Sequence, residues 1–152
     1  MPRMTSLRAA TPADHARLLV LVTDFHVHER LATTPAMREQ ALAALLDPAR
    51  GVGCVVVAEA EGVLVGYGLA CFGFSVEFGG RDAFIDELYV VPVSRGQGLG
   101  TRLLARLESA ALGAGARAVH LEADHANPRA HDLYRRLGYA DHPRHLMTKR
   151  PS

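Results

Sequence analysis

Apolar residues recur at Leu18, Leu21, Val22 and Phe25, three or four places apart, and this spacing predicts a helix over His15–His28 with one apolar side. Thr11-Pro12-Ala13-Asp14 before it supplies an N-cap residue and a proline suited to a first helical turn. A second helix is expected over Pro35–Leu46, with Met37, Ala41, Leu42 and Leu45 on its apolar side and Asp47-Pro48 ending it. Ser6–Ala10, Val52–Glu59 and Val63–Phe74 read instead as strands, the last two joined at Ala60-Glu61-Gly62 as a hairpin. A loop over Ser75–Asp82, with Gly79-Gly80 at its tip, leads into a strand over Ala83–Val91. Leu99, Leu103, Leu107 and Ala110 then mark a third helix that stops at Gly113 and Gly115. A strand over Ala118–Ala123, a helix within Asn127–Tyr139 and a closing strand complete a β-α-α-β-β-β-α-β-α-β order.

Composition narrows what such a chain can do. With 152 residues, 49% of them hydrophobic, it is long enough to bury a core and too short for two ordinary domains, so a single domain over residues 1–152 is expected. A formal net charge of +1 argues against a nucleic-acid binder that works by charge. No apolar stretch approaches the length needed to cross a bilayer, and Met1–Thr11 lacks the apolar core of a secretion signal. Cys54 and Cys71 have no C-x-x-C partner and are expected to be buried free thiols of a cytoplasmic protein. His26 and His28 stand two apart in a helix and diverge, so the histidines do not predict a metal site.

The chemistry concentrates at Arg95-Gly96-Gln97-Gly98-Leu99-Gly100, between a strand and a helix. Glycines at 96, 98 and 100 remove the side chains that would hold a ligand off the backbone, and several N–H groups then converge on an anion at the positive end of the helix. A phosphate-bearing ligand is the natural guest. The Walker A pattern is excluded because Thr101 and Arg102 follow the last glycine, and the dinucleotide fingerprint because Thr101 stands where its third glycine belongs. R-x-x-G-x-G after Val90-Val91-Pro92 resembles the acetyl-CoA loop of the GNAT superfamily of N-acetyltransferases. Asn127-Pro128-Arg129-Ala130-His131-Asp132-Leu133-Tyr134-Arg135-Arg136-Leu137-Gly138-Tyr139 is similar to the N-x-x-A-x-x-L-Y-x-x-x-G-F/Y segment of the same superfamily. The likeness is specific from Phe84 to about Tyr139.

The resemblance implies an α/β fold with a mixed, mostly antiparallel sheet flanked by helices and a splayed parallel strand pair. It implies acetyl-CoA as cosubstrate, with Arg95, Gly96, Gln97, Gly98, Leu99, Gly100 and Thr101 around its phosphates. Leu88, Tyr89 and Val90 match positions whose backbone holds the pantetheine arm, and Asn127 matches a residue that bonds the cofactor, although an N-cap role suits it equally. Acetyl transfer needs an uncharged amine and a proton for the departing thiolate. Tyr134 matches the tyrosine beside the sulfur, and a phenol protonated at neutral pH can supply that proton. Asp86 aligns with an acid that deprotonates the amine through water. Glu87 is the alternative, since neighbours in a regular strand face opposite sides and a bulge would change which one faces the cleft.

Glu29, Glu77 and Asp82 are candidates to receive a cationic amine, and the N-terminal half resembles the diamine acetyltransferase branch. The expected reaction is direct transfer to a primary amine of a small molecule, whether a polyamine, an amino acid or an aminoglycoside-like compound, with no metal. A homodimer is common among small members of the family. A protein or peptide N-acetyltransferase and a non-catalytic acyl-CoA sensor remain as alternatives.

Overall fold

Strand β1 spans Thr5–Ala9, β2 Gly53–Ala60, β3 Val63–Ser75, β4 Gly80–Val90 and β5 Val119–Leu121. They lie side by side in that order in one five-stranded sheet. The first three pairings are antiparallel, and β4 with β5 is parallel. The computed structural model describes residues 4–151. The chain falls into two compact units, Met1–Leu121 and Glu122–Ser152.

Helices α1 (His15–His28) and α2 (Pro35–Leu46) begin and end at the residues that the periodicity and caps mark. Thr34 caps α2 by accepting from Met37 N, with Pro35 at its first position. Leu18, Leu21, Val22, Leu42 and Leu46 bury one face of the sheet, meeting Val55, Val57, Tyr67, Leu69 and Tyr89. Helix α3 (Leu99–Gly113) buries Leu103, Leu104 and Leu107. A leucine fully buried in this way contributes about 1.5–3 kcal/mol. Glycines in β3 let α3 come close: a Cβ at Gly66 would stand 3.1 Å from Leu103 Cδ1, and one at Gly68 3.2 Å from Leu107 Cδ2. The faces of the sheet are thus divided, with Tyr67 and Leu69 towards α1 and α2, and Gly66 and Gly68 towards α3.

At the N-terminal end, Asp14 is buried and accepts from Arg8, from Arg17 and from the Thr11 backbone N–H. The bond from Arg8, with the others, holds its carboxyl well below the usual carboxylate range.

Two elements differ from expectation. The loop read over Ser75–Asp82 shrinks to a turn, because Gly80, Arg81 and Asp82 pair with Ser75, Phe74 and Gly73. Arg81 lies over the Phe72 ring at 4.7 Å, so polar residues that read as loop belong to a ladder. The closing strand does not form among the described residues. Asp141 is drawn back to His131 and Arg135 instead, and Pro143 lacks the N–H a ladder needs. Both partners belong to helix α4 (Pro128–Arg136), in the second unit.

Candidate active site

A 3-10 turn at Pro92–Ser94 follows β4, and α3 starts on Gly98 as its N-cap. Gly96 (φ 80°) and Gly98 (φ 73°) both adopt the left-handed region, where a side chain is strained. Leu99 is buried under the loop, and Gly100 and Thr101 complete the first helical turn. A Cβ added at Gly96, Gly98 or Gly100 would meet no atom within 4 Å, so the space over the loop is open. The N–H groups of Leu99, Gly100 and Thr101 point out of the helix start without partners in it. Such a run of donors at a helix start favours an anion. Gln97 is exposed on the loop. Arg95 Nε donates to Val90 O at 2.8 Å, and its guanidinium lies 5.7 Å from the Tyr89 ring centre, bracing the loop against the strand it leaves.

Strand β4 carries the paired acids. Leu69 of β3 pairs with Glu87, and the next residue, Ala70, pairs with Ile85, which leaves Asp86 as an extra residue in a β-bulge. The parallel pairing with β5 ends at Ile85, opposite Leu121. From Asp86 onward β4 therefore has a strand on one side only, and Leu88, Tyr89 and Val90 lie along this edge. Asp86 is exposed. Glu87 is 12% exposed and takes Tyr67 Oη on Oε1 at 2.7 Å and His26 Nε2 on Oε2 at 2.8 Å. The charges of both acids push up the Tyr67 phenol and the Cys71 thiol, although burial is the larger cause in each. Strict alternation would turn one acid away from the other; the bulge brings both charges to bear on the same groups.

Cys54 and Cys71 are free thiols, half-buried rather than fully enclosed. Burial raises both, and so both stay protonated and weakly nucleophilic near neutral pH. Glu29 caps the end of α1 and lies 3.5 Å from His28 Nδ1. Glu77 is exposed in the turn between β3 and β4. Asp82 accepts from His120 Nε2 at 3.1 Å.

In the second unit, Asn127 Oδ1 caps α4 by accepting from Ala130 N at 3.2 Å. Tyr134 sits half-buried in that helix with its ring 6.0 Å from Tyr139, edge to face, and burial raises its phenol. It therefore remains a proton donor across the neutral range. Among the described residues, no three His, Cys, Asp or Glu side chains gather as a metal-holding group. Among the described residues, no helix is long and apolar enough to cross a membrane.

Sequence reasoning missed His26, Thr33, Arg38 and Tyr67. A signal for His26 was available: it stands four residues after Val22, on the buried side of α1, where a polar residue needs a polar partner.

A parallel strand pairing that ends after three residues, beside a helix capped by glycine, is the arrangement that the resemblance to N-acetyltransferases implies. The chain belongs to the acetyltransferase (GNAT) family, whose sequence profile matches residues 17–139, and is an N-acetyltransferase. A thialysine N-epsilon-acetyltransferase from Bos taurus is 32% identical over 148 residues, covering 89% of this chain and 84% of that one. An integron cassette protein from the mobile metagenome of Cole Harbour Salt Marsh superposes with a TM-score of 0.82 at 28% identity, over 96% of this chain and 90% of that one. A predicted acetyltransferase from Clostridium acetobutylicum, crystallised with acetyl-CoA, superposes with a TM-score of 0.80 at 20% identity, over 96% of each chain.

Proposed function

We propose that this chain, acting as one catalytic domain over residues 1–152, transfers an acetyl group from acetyl-CoA to a primary amine of a small molecule. The acceptor class is a polyamine, an amino acid or an aminoglycoside-like compound, and transfer is direct within a ternary complex. The observation that carries this reading is the bulge at Asp86, which sets an exposed carboxylate immediately after the last parallel pairing. The name of the bovine relative, which specifies an amine at the end of a lysine-like side chain, supports a small amine as acceptor. The acetyl-CoA in the Clostridium structure supports the donor.

When bound, acetyl-CoA supplies the thioester. The N–H groups of Gly96 to Thr101 hold its pyrophosphate, and the one-sided edge of β4 at Leu88, Tyr89 and Val90 accepts the pantetheine arm as a strand-like partner. Arg95 braces this edge, and Asn127 keeps Nδ2 for the cofactor while Oδ1 caps α4. Asp86 takes the proton of the ammonium, directly or through one water, so that the neutral amine attacks the carbonyl. Tyr134 gives its proton to the departing thiolate as the carbon–sulfur bond breaks, the proton lost by the new amide nitrogen restores the phenol, and Asp86 returns its proton to solvent. Glu29 and Glu77 receive a second positive charge on a longer acceptor. The two protonated thiols offer no acyl-enzyme, which favours direct transfer. The protein is further proposed to be a cytoplasmic homodimer, which light scattering of the purified chain tests.

The deciding experiment follows free-thiol release from acetyl-CoA across diamines, amino acids, aminoglycosides and peptides. Release with small primary amines and not with peptides is the expected result. Release with peptide N-termini alone replaces the small acceptor by a chain, and CoA binding without release for any amine makes the protein a sensor.

A further inference from the structure

His26 is buried near the end of α1. Its Nε2 lies 2.8 Å from Glu87 Oε2, and its Nδ1 lies 2.9 Å from the hydroxyl of Thr33, in the connection between α1 and α2. Arg38 of α2 donates through Nη1 to the Thr33 hydroxyl and to the Thr33 carbonyl, each at 3.0 Å. Tyr67 of β3 donates to the other Glu87 oxygen. One assignment of protons satisfies every group: the Thr33 hydroxyl accepts from Arg38 and donates to Nδ1, and a neutral imidazole donates from Nε2 to Glu87. Three elements and a loop are thereby tied to the strand that carries the paired acids.

We propose that His26 is a positioning residue for acetyl transfer: it engages Glu87, leaving Asp86 as the carboxylate open to the amine, and fastens the α1–α2 connection beside it. This rests on the acetyl-transfer reading above. Both Glu87 oxygens already accept from buried donors, so an amine proton would have to displace one of them. The Asp86 carboxylate, one residue away in the bulge, is exposed and has no such donor to displace. The connection held by Thr33 follows directly on Glu29, one of the acids proposed to receive the amine, so loosening it should be felt by the amine and not by CoA.

Protonation of His26 breaks the pattern. Nδ1–H would then face a Thr33 oxygen that already receives Arg38, and the imidazolium would cancel the charge of Glu87. The imidazole itself meets Glu87 of β4 and Thr33; Tyr67 of β3 bonds the other oxygen of Glu87, Arg38 of α2 bonds Thr33, Asp86 is the neighbour of Glu87 in β4, and the charges of both acids reach Cys71 of β3. Binding of a cationic amine should therefore be weaker in the wild type wherever acid puts the second proton on this ring.

The test compares His26→Leu, which removes both ring nitrogens, with His26→Gln, whose side-chain amide can still donate to Glu87 but does not titrate. His26→Leu should raise the amine KM at least about tenfold and leave the acetyl-CoA KM within about twofold, and His26→Gln should recover most of that loss. The acid-side rise in amine KM that the wild type adds to the acceptor's own titration should be missing in His26→Gln. An unchanged amine KM in His26→Leu, or the same pH dependence in wild type and His26→Gln, overturns the proposal. If the wild type releases no thiol with any amine, the acetyl-transfer reading fails, and the imidazole nitrogen NMR of the unliganded protein still decides on the network. A neutral Nε2–H form that changes in Glu87→Gln supports it; an Nδ1–H form overturns it.

Discussion

Deleting Asp86 separates its chemistry from its place in the fold. Ile85 pairs with Ala70 and Glu87 with Leu69, and those partners are consecutive in β3. Removing the extra residue therefore leaves a continuous ladder in which neither half of β4 changes partners. The deleted side chain is exposed, so the unfolding free energy should stay within about 1 kcal/mol of wild type by urea titration. Binding of CoA, measured by calorimetry, should be unchanged within about twofold, because Leu88 to Thr101 keep their conformation. Turnover should fall by the ~10²–10⁴-fold assigned to a general base, equivalent to about 3–5 kcal/mol of barrier. Asp86→Asn is the companion, since it keeps the bulge and removes the base. Its deficit should be greatest near neutral pH and shrink at alkaline pH, where free amine exists without help. A deletion variant that folds and retains more than about a tenth of wild-type turnover refutes Asp86 as base, as does alkaline rescue in Glu87→Gln but not in Asp86→Asn.

Gly100→Ala puts a methyl into open space at the start of α3, where no left-handed backbone is needed. It should raise Tm by about 1–3 °C through lost chain entropy, yet weaken CoA binding about tenfold or more by calorimetry. Tyr134→Phe should keep CoA affinity and lose ~10²-fold or more in turnover, less with a thioester whose leaving thiol is more acidic. Asp14→Asn should cost about 2 kcal/mol at pH 7, less than the ~3–5 of a fully buried pair because Arg8 and Arg17 stay partly exposed. Since the folded-state carboxyl is depressed, its stabilisation is present above the ordinary value near 4 and fades as pH falls towards the folded one. The difference between wild type and variant in urea should accordingly narrow below about pH 4.

What the sequence made legible was whatever depends on neighbours along the chain. The three- and four-residue spacing, with Asp47-Pro48 ending the second helix, marks α1 and α2 to the residue, and Glu61-Gly62 turns with both residues left-handed, as a tight hairpin requires. Glycines at 96 and 98 marked the strand-to-helix turn. What escaped depends on partners far along the chain. The length of β5 is set by where β4 stops facing it, which its own residues do not record. The bulge arises between β3 and β4, and a period-two pattern has no symbol for an extra residue. His26 entered the sequence reading only as one of two diverging histidines, because its partner lies 61 positions away.

The bulge also explains how one strand tolerates adjacent acids. Leu88 faces α3, where its Cδ1 lies 3.2 Å from a Cβ built on Gly68, beside Leu107. In a regular strand, position 86 would share that side, and the carboxylate would point towards a leucine-lined helix with no donor to receive it. An unpaired buried charge there would cost several kcal/mol. The extra residue lets Asp86 reach solvent, and Glu87 takes the inward position, where Tyr67 and His26 meet it. The same local geometry that opens β4 past Ile85 thus separates a carboxylate satisfied by the protein from one satisfied by water, and only the second can exchange a proton without dismantling the core.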